Sequence, residues 1–581
     1  MAFSRDAKSA AFLAVVLVAL PFASSEFVAY QIALFVIYGI AAQAVALCWG
    51  RLGFLPLGHA LFFGLGAYLF GGVLKGAESS PALYLALPLA VAAPALLAYV
   101  IARLVFARSS RSGPYFSLIT LALTMLGFLA AQQWSALTGG FNGMANIPEI
   151  PGTSRYETLY WLVAAVAVIS TLVLAMLAAR PIGVIWEAVA QNEERLQLLG
   201  YATDRVKANA YAFSALLAAV AGALFSAHQG IVTPQAMSFI LSTEFVIWAA
   251  VGGKGSSLGP LLGAAVVGYA SAELREQFLY WEVAVAALFI VVVLFLPNGV
   301  AGLLKRRADP RHGEDSPAPA AVQDAATATS AAPVSLTLDG VKTAQSGVTI
   351  LDGLSLALSG PGIRCVIGPN GAGKTSSFNV ITGRLPLLGG GVKLNGCDIG
   401  GLPAWRVARR GIGRKMQVPS VFADLTVREN LGLAVWAARA SGFDMLRLAT
   451  LGWHTRLLAD ILQEFPALAS QLDAPAGTLA QGHRQALELA MTLLPEPKLV
   501  LLDEPCAGLS PGETHQMIDA IKTLVRQIGA AALLIEHDIT AVDAMGGDVY
   551  VLHQGRLLDK GSLADIQASA AVRAVYAGGR K

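Results

Sequence analysis

Hydrophobic positions along the chain fall into two regimes. From Ala10 to about Gly302, long apolar runs alternate with short polar breaks; Ala11–Phe22, Phe27–Trp49, Ala82–Ala102, Leu159–Ala179 and Val283–Leu296 are examples. Several reach the roughly 20 residues needed to cross a bilayer, and about eight to ten segments are apolar by that criterion, Gly-rich pieces such as Gly259–Ala270 included. Such runs satisfy their backbone polar groups in lipid only as helices. The pattern therefore predicts a polytopic helical membrane domain over residues 1–307. Met1–Ser25 has the outline of a signal peptide, with Arg5 and Lys8 before its apolar stretch and Ala23-Ser24-Ser25 after it. More spanning segments follow at once, which favours a first transmembrane helix with a cytoplasmic start.

Basic residues side the breaks. Arg103, Arg108 and Arg111 share one break, Arg180, Arg195, Arg205 and Lys207 another, and Lys305, Arg306 and Arg307 follow the last apolar run. These are expected on the cytoplasmic face. Thr138–Glu157 holds Arg155 as its only basic residue and is expected outside.

The second regime begins after a tether. Residues 308–333 are expected to be a flexible linker, because Pro310–Pro333 is rich in Ala, Pro, Ser, Asp and Thr with no apolar period. Residues 334–581 alternate short β-like runs (Gly362–Ile367, Lys498–Leu502, Ala531–Ile535) with helical stretches, the pattern of an α/β domain.

Composition sharpens this division. The chain has 581 residues, 55% hydrophobic and only 14% charged, with mean hydropathy +0.60; a soluble globular protein carries roughly 25% charged residues. A wholly soluble enzyme and a disordered scaffold are both excluded. The net charge of +3 leaves no polybasic signature of a nucleic-acid binder. Cys48, Cys365, Cys397 and Cys506 lie far apart, in neither a disulfide framework nor a zinc-ligand spacing.

The chemistry is concentrated in the second regime. Gly368-Pro369-Asn370-Gly371-Ala372-Gly373-Lys374-Thr375 fits G-x-x-x-x-G-K-[ST], after an apolar run and before the helix-like Ser376–Ile381. Gly368, Asn370, Gly371, Gly373, Lys374, Thr375 and Ser376 are expected to hold ATP. The glycines let backbone N–H groups face phosphate oxygens; Lys374 would bridge the β- and γ-phosphates and Thr375 would offer a hydroxyl to Mg²⁺. The apolar run Leu499–Leu502 ends in Asp503-Glu504. Such a strand carries a carboxylate to the metal, so Asp503 is the second expected Mg²⁺ ligand. Glu504 would polarise the attacking water as general base.

With these motifs in place, residues 334–581 resemble the ATP-binding subunit of an ABC transporter. The resemblance implies that Gln417, in Gly411–Gln417, is the Q-loop residue that senses the γ-phosphate and the metal. It implies that His537, in Ile535-Glu536-His537-Asp538, is the switch histidine, and that Ala507–Ser510 is the D-loop. Leu479-Ala480-Gln481-Gly482-His483 stands where the signature Leu-Ser-Gly-Gly-Gln belongs, with Gly482 retained for nucleotide contact and Ala480 and His483 as departures. The segment Lys342–Val348 lacks the aromatic residue that usually stacks on adenine in this family, which leaves Val348 as the candidate for apolar cover there. An inserted helical region is expected around Leu425–Thr478.

The first 307 residues resemble the permease of branched-chain amino acid and urea importers. The resemblance rests on Gly53–His59 through Gly66-Ala67-Tyr68, on Thr243–Trp248 with Val251–Gly255, and on Phe295–Gly299. It implies that Gly183–Asp204 contains a coupling helix that meets the ATPase near the Q-loop, a solvated loop being the alternative. Glu244 is either a functional intramembrane carboxylate or a structural residue behind a helix cap at Ser242-Thr243. His59 is not expected to be a substrate ligand.

The fold expected is a polytopic α-helical membrane domain followed by a P-loop α/β ABC ATPase domain. ATP sites in this family form between two ATPase domains, so the resemblance implies a second permease and a second ATP-binding half, as homodimer or heteromer, together with an extracytoplasmic solute-binding protein. The expected activity is ATP-driven import of a small polar solute, branched-chain or related amino acids first and urea or a short amide second. A membrane-anchored regulatory ATPase and an exporter are the readings from other classes.

Overall fold

The structure, a computed structural model, describes residues 2–76, 83–106, 114–278, 280–296, 299–306, 334–439 and 455–578. The expected linker, Arg108, Arg111, Arg307, Pro297-Asn298 and residues 440–454 of the expected insertion lie outside the described residues. The chain forms two compact units: Met1–Ala190 with Asp204–Glu314, and Gln191–Thr203 with Asp315–Lys581. Residues 191–203 thus belong to the second unit, although in sequence they lie between helices of the first.

Among its described residues the first unit is built of helices joined by loops, with one isolated bridge between Met144 and Val232. Among the described residues, five helices are long and apolar enough to cross a membrane: Glu26–Arg51, Ala86–Phe106, Pro114–Gln133, Thr158–Ala178 and Thr203–Gln229. The last of these begins one residue inside the second unit. Shorter apolar helices include Phe239–Gly252 and Gly259–Ala272. Glu26–Ala46 runs on into a π-helical turn, Leu47–Arg51. The core is aromatic and small at once: Phe63, Phe245 and Trp248 are buried beside Ala41, Ala218 and Ala249. Small residues permit close backbone approach, which helices in lipid need because burial alone does not drive them together. A Cβ placed on Gly222 would overlap the carbonyl oxygen of Phe63.

Gln43 is an internally satisfied polar side chain of this unit. Gln43 is buried in the apolar helix Glu26–Ala46. Its Nε2 donates to Thr171 Oγ1 at 2.8 Å and to the Ser257 carbonyl at 2.6 Å, and its Oε1 accepts from Ser170 Oγ at 2.8 Å. An unmet amide in lipid would cost several kcal/mol, on the order of the loss of a full hydrogen-bond set.

One expectation is corrected here. Ser242 and Thr243 do not cap a helix. The helix Phe239–Gly252 begins one turn earlier, at Ser238, whose extended backbone lets its Oγ accept the Leu241 N–H at 3.1 Å. Ser242 Oγ instead accepts from the Ala60 N–H at 3.3 Å, and Thr243 Oγ1 donates back to the Phe239 carbonyl at 3.0 Å. Glu244 therefore sits within the helix, half-buried.

The second unit is built on two sheets. β1 (Ser335–Gln345), β2 (Val348–Ser359), β4 (Gly389–Leu394) and β5 (Cys397–Asp398) form an antiparallel sheet in the order β2-β1-β4-β5. The other sheet runs β10-β9-β3-β8-β7-β6, from β3 (Gly362–Ile367), β6 (Ile412–Lys415), β7 (Leu499–Asp503), β8 (Ala531–Ile535), β9 (Val549–His553) and β10 (Arg556–Gly561). Its strands are parallel except β10. β7 and β8 are buried at every residue, as a parallel sheet covered on both faces requires. Parallel pairing brings the carboxyl ends of β3, β7 and β8 to one edge, so that the segments leaving them converge there. Between β6 and β7 in sequence come the helices Val427–Arg439, Arg456–Glu464 and Pro466–Ala469, then Gln481–Leu493.

Candidate functional site

The loop leaving β3 is shaped by backbone conformations that favour glycine. Gly368, Gly371 and Gly373 have φ of +152°, +80° and +95°, and Gly373 precedes the helix Lys374–Ile381. Asn370 and Gly371 are exposed and Ser376 is half-buried. Lys374 is 6% exposed. Its ammonium curls back to the carbonyls of Gly368 at 2.7 Å and Pro369 at 3.1 Å. Burial pulls its pKa down, opposed by Glu504 and Asp503. The turn after β9 braces the loop from outside, with the Gly555 N–H on the Ala372 carbonyl at 3.0 Å.

β7 delivers the two acids. Thr375 Oγ1 donates to Asp503 Oδ1 at 3.4 Å. Asp503 is 1% exposed; burial raises its pKa, opposed by Arg414. A buried carboxylate beside a threonine hydroxyl and a loop of phosphate-facing glycines suits a hard divalent cation with oxygen ligands. Glu504 follows at φ +46°, a left-handed backbone that non-glycine residues seldom adopt and that is held by neighbours. Here the neighbour is β8: the Glu504 N–H bonds the Ile535 carbonyl at 2.9 Å. His537, just past β8, places Nε2 3.0 Å from Glu504 Oε1.

The structure thus brings Lys374, Thr375, Asp503, Glu504 and His537 to one edge. Gln417 lies two residues past β6 and is exposed. Gly482 keeps other company: it stands at the start of Gln481–Leu493, against Leu509 and Glu513. Val348 opens β2 and is 67% exposed.

Sequence reasoning missed the charges behind this edge. Arg414 and Lys415 occupy β6 and are buried, as is Glu488 in the helix Gln481–Leu493. The signal was present: two adjacent cations in an otherwise apolar strand, and one acid inside Ala486-Leu487-Glu488-Leu489-Ala490. Glu536 was missed too. It is 5% exposed and accepts the Cys506 N–H at 3.2 Å, and burial raises its pKa. Burial also pushes the Cys506 thiol up to about 12, which keeps it protonated and inert at neutral pH.

In the membrane unit, His59 is buried, with Nε2 3.0 Å from Ser214 Oγ. Residues 191–203 carry the C-terminal part of the expected coupling segment. The helix Pro181–Leu198 breaks at Asn192 (φ −155°, ψ 87°). Within the second unit, Asn192 Nδ2 donates to Ser420 Oγ at 2.9 Å, the Asp424 N–H donates to Gln191 Oε1 at 2.9 Å, and Tyr201 OH donates to the Leu433 carbonyl at 2.7 Å.

Comparison with known proteins agrees with this layout. Residues 27–296 match the family model described as the permease component of a branched-chain amino acid transport system, and residues 351–507 match that of the ABC transporter. The high-affinity branched-chain amino acid transport ATP-binding protein BraF of Pseudomonas aeruginosa is 32% identical over 254 residues, which is 42% of this chain and 97% of BraF. LivG of Salmonella typhimurium, named for the same transport, is 33% identical over 249 residues, again 42% of this chain and 97% of the relative. A solved ATP-binding subunit of an ABC transporter aligns with 42% of this chain and 99% of its own, at 25% identity and a TM-score of 0.37. The chain belongs to the ABC transporters of the branched-chain amino acid type, and carries a membrane-embedded permease domain and an ATP-hydrolysing ABC domain on one polypeptide.

Proposed function

We propose that this chain is one half of an ATP-driven importer of branched-chain or related amino acids. The observation that carries the reading is the match of residues 27–296 to a permease component of branched-chain amino acid transport, on the same chain as an ATPase domain similar to BraF and LivG. Domain limits of 1–307, 308–333 and 334–581 go with it.

In this reading, Gly368–Ser376 wrap the ATP phosphates, and Lys374 leaves the Gly368 and Pro369 carbonyls to bridge the β- and γ-phosphates. Thr375 and Asp503, joined by Gln417, would hold Mg²⁺, which would neutralise phosphate charge when bound. Glu504 takes a proton from the attacking water, and His537, 3.0 Å away, orients that carboxylate. Gly482 serves the site of a second ATPase half, since it lies against Leu509 and Glu513 in its own. A second permease half and an extracytoplasmic solute-binding protein complete the assembly.

The test is uptake of labelled leucine and labelled urea in cells carrying the partner subunits, with Glu504→Gln as control. Loss of a general base lowers turnover by about 10²–10⁴-fold, so leucine uptake is expected to vanish in the variant while ATP binding persists. Uptake of urea alone would move the solute to the amide class. Variant-sensitive uptake of neither would overturn the reading.

A further inference from the structure

Five ionisable side chains lie buried behind the phosphate edge, and of these only Asp503 has a part in the chemistry above. Arg195, Arg414, Lys415, Glu488 and Asp503 are each at most 2% exposed. Burying ions is costly unless each is paired, and removing one partner then disturbs the rest. Their arrangement has a hub. Glu488 Oε1 accepts the main-chain N–H of Met416 at 2.9 Å and lies 3.5 Å from Arg195 NH1; Glu488 Oε2 lies 3.7 Å from Lys415 Nζ. Met416 is the residue before Gln417.

Arg195 reaches this hub from the segment 191–203. Its NH1 donates to the Arg414 carbonyl at 2.7 Å, and its NH2 to the Glu488 carbonyl and to Thr492 Oγ1, both at 3.2 Å. The Asn192 break sets it up, because Asn192 Oδ1 accepts the Arg195 N–H at 2.9 Å. On the far side, Arg414 NH1 donates to Thr382 Oγ1 at 2.8 Å and NH2 lies 3.8 Å from Asp503 Oδ2, whose other oxygen takes the Thr375 hydroxyl. A continuous chain of contacts therefore runs from Arg195 through Glu488 and the β6 backbone to Arg414, Asp503 and Thr375. The contacts at 3.7 and 3.8 Å exceed hydrogen-bond length and leave the chain room to tighten.

We propose that Arg195 and Glu488 are positioning residues for ATP hydrolysis, which fix Gln417 through Met416 and Asp503 through Arg414. The neighbouring pair of Arg384 and Glu194 contrasts with them: the Glu194 side chain is 53% exposed, and an exposed pair is worth little.

The inference rests on the transport reading above, and the two fail differently. The experiment is solute-stimulated ATP hydrolysis by the assembled transporter in lipid nanodiscs, with Arg195→Ala, Arg195→Lys, Glu488→Gln and Glu504→Gln. Glu488→Gln keeps shape and removes charge. It is expected to lower kcat about tenfold while KM for ATP stays within about twofold, the split of a group that acts on the transition state alone. Arg195→Ala is expected to match it and Arg195→Lys to recover part of kcat. An assembled Glu488→Gln transporter with wild-type kcat, or with a loss confined to KM, overturns the proposal. Wild-type hydrolysis in Glu504→Gln would instead sink the reading beneath it.

Discussion

Glycine does opposite work in the two units. In the membrane unit it is an absence of volume. Gly222 and Gly66 sit in packed helices, where a Cβ would run into the backbone of Phe63 and of Ala219. In the ATPase unit it is a freedom of angle. Gly371 and Gly396 have φ of +80° and +77°, and a Cβ on either meets nothing within 4 Å. The difference follows from the solvent. In lipid, helices gain by contact of backbones, whereas at a water-facing edge a phosphate cradle and a tight turn need dihedrals that other residues resist. One residue type is thus a packing device in one unit and a conformational one in the other, and substitution by alanine separates the two.

The largest effect is expected at Gly222→Ala. Helix propensity alone would favour alanine by about 1 kcal/mol. The overlap with the Phe63 carbonyl opposes it, and overpacking that must move backbone costs about 3 kcal/mol, so the clash wins. Thermal unfolding of the detergent-purified chain should show a lowered midpoint for the membrane unit. A midpoint at or above wild type would break the comparison at its first limb.

Legibility in the sequence follows the same line. The phosphate loop was legible because its constraint is local: three glycines, a lysine and a threonine within eight residues, after an apolar run. Ala531–Ile535 emerges as a strand with the bounds read from the sequence. The contact of Gly222 with Phe63 was not legible, because the partner lies far off in sequence and nothing near Gly222 names it. The same holds for Arg195, whose charge reads locally as a cytoplasmic marker and whose partners Arg414, Glu488 and Thr492 are set by tertiary packing. The order of strands in the sheet, which places β7 between β8 and β6, is likewise a product of long-range pairing. At Ser238 the signal was local and still missed: Ser238 precedes Phe239-Ile240-Leu241 and Ser242-Thr243 precedes Glu244-Phe245, and only the extended backbone at Ser238 decides which one caps.

Gly371→Ala sharpens the second limb. With open space above the position, the cost is the left-handed backbone alone, about 1–2 kcal/mol for an L-residue. Without nucleotide the exposed loop relaxes part of that strain away. With phosphates bound it cannot, so the cost falls on binding; about 1.4 kcal/mol is a tenfold loss of affinity. Titration with a fluorescent ATP analogue should show that loss, with a smaller change in the unfolding midpoint. A shift in the midpoint with unchanged affinity would mean that the position serves the fold and not the phosphates.

Gly396→Ala is the control with the smallest expected effect. β4 and β5 pair at Lys393 with Asp398 and at Leu394 with Cys397, leaving Asn395 and Gly396 as a two-residue turn. Both have positive φ, +50° and +77°, as the Asn-Gly turn of a tight hairpin requires. Asn395 tolerates it and is tied down, its Oδ1 accepting the Ser335 N–H at 2.7 Å. Gly396 is held by nothing but its own freedom, and β5 is a two-residue exposed edge strand. Alanine there should cost about 1 kcal/mol, or about 2–4 °C in the midpoint for a domain of this size. ATP turnover and analogue binding should not change, because the strain stays in the hairpin. A fall in nucleotide affinity comparable to that of Gly371→Ala would show that strain anywhere in the ATPase unit reaches the phosphate loop, and the distinction drawn between its glycines would then collapse into one of general stability.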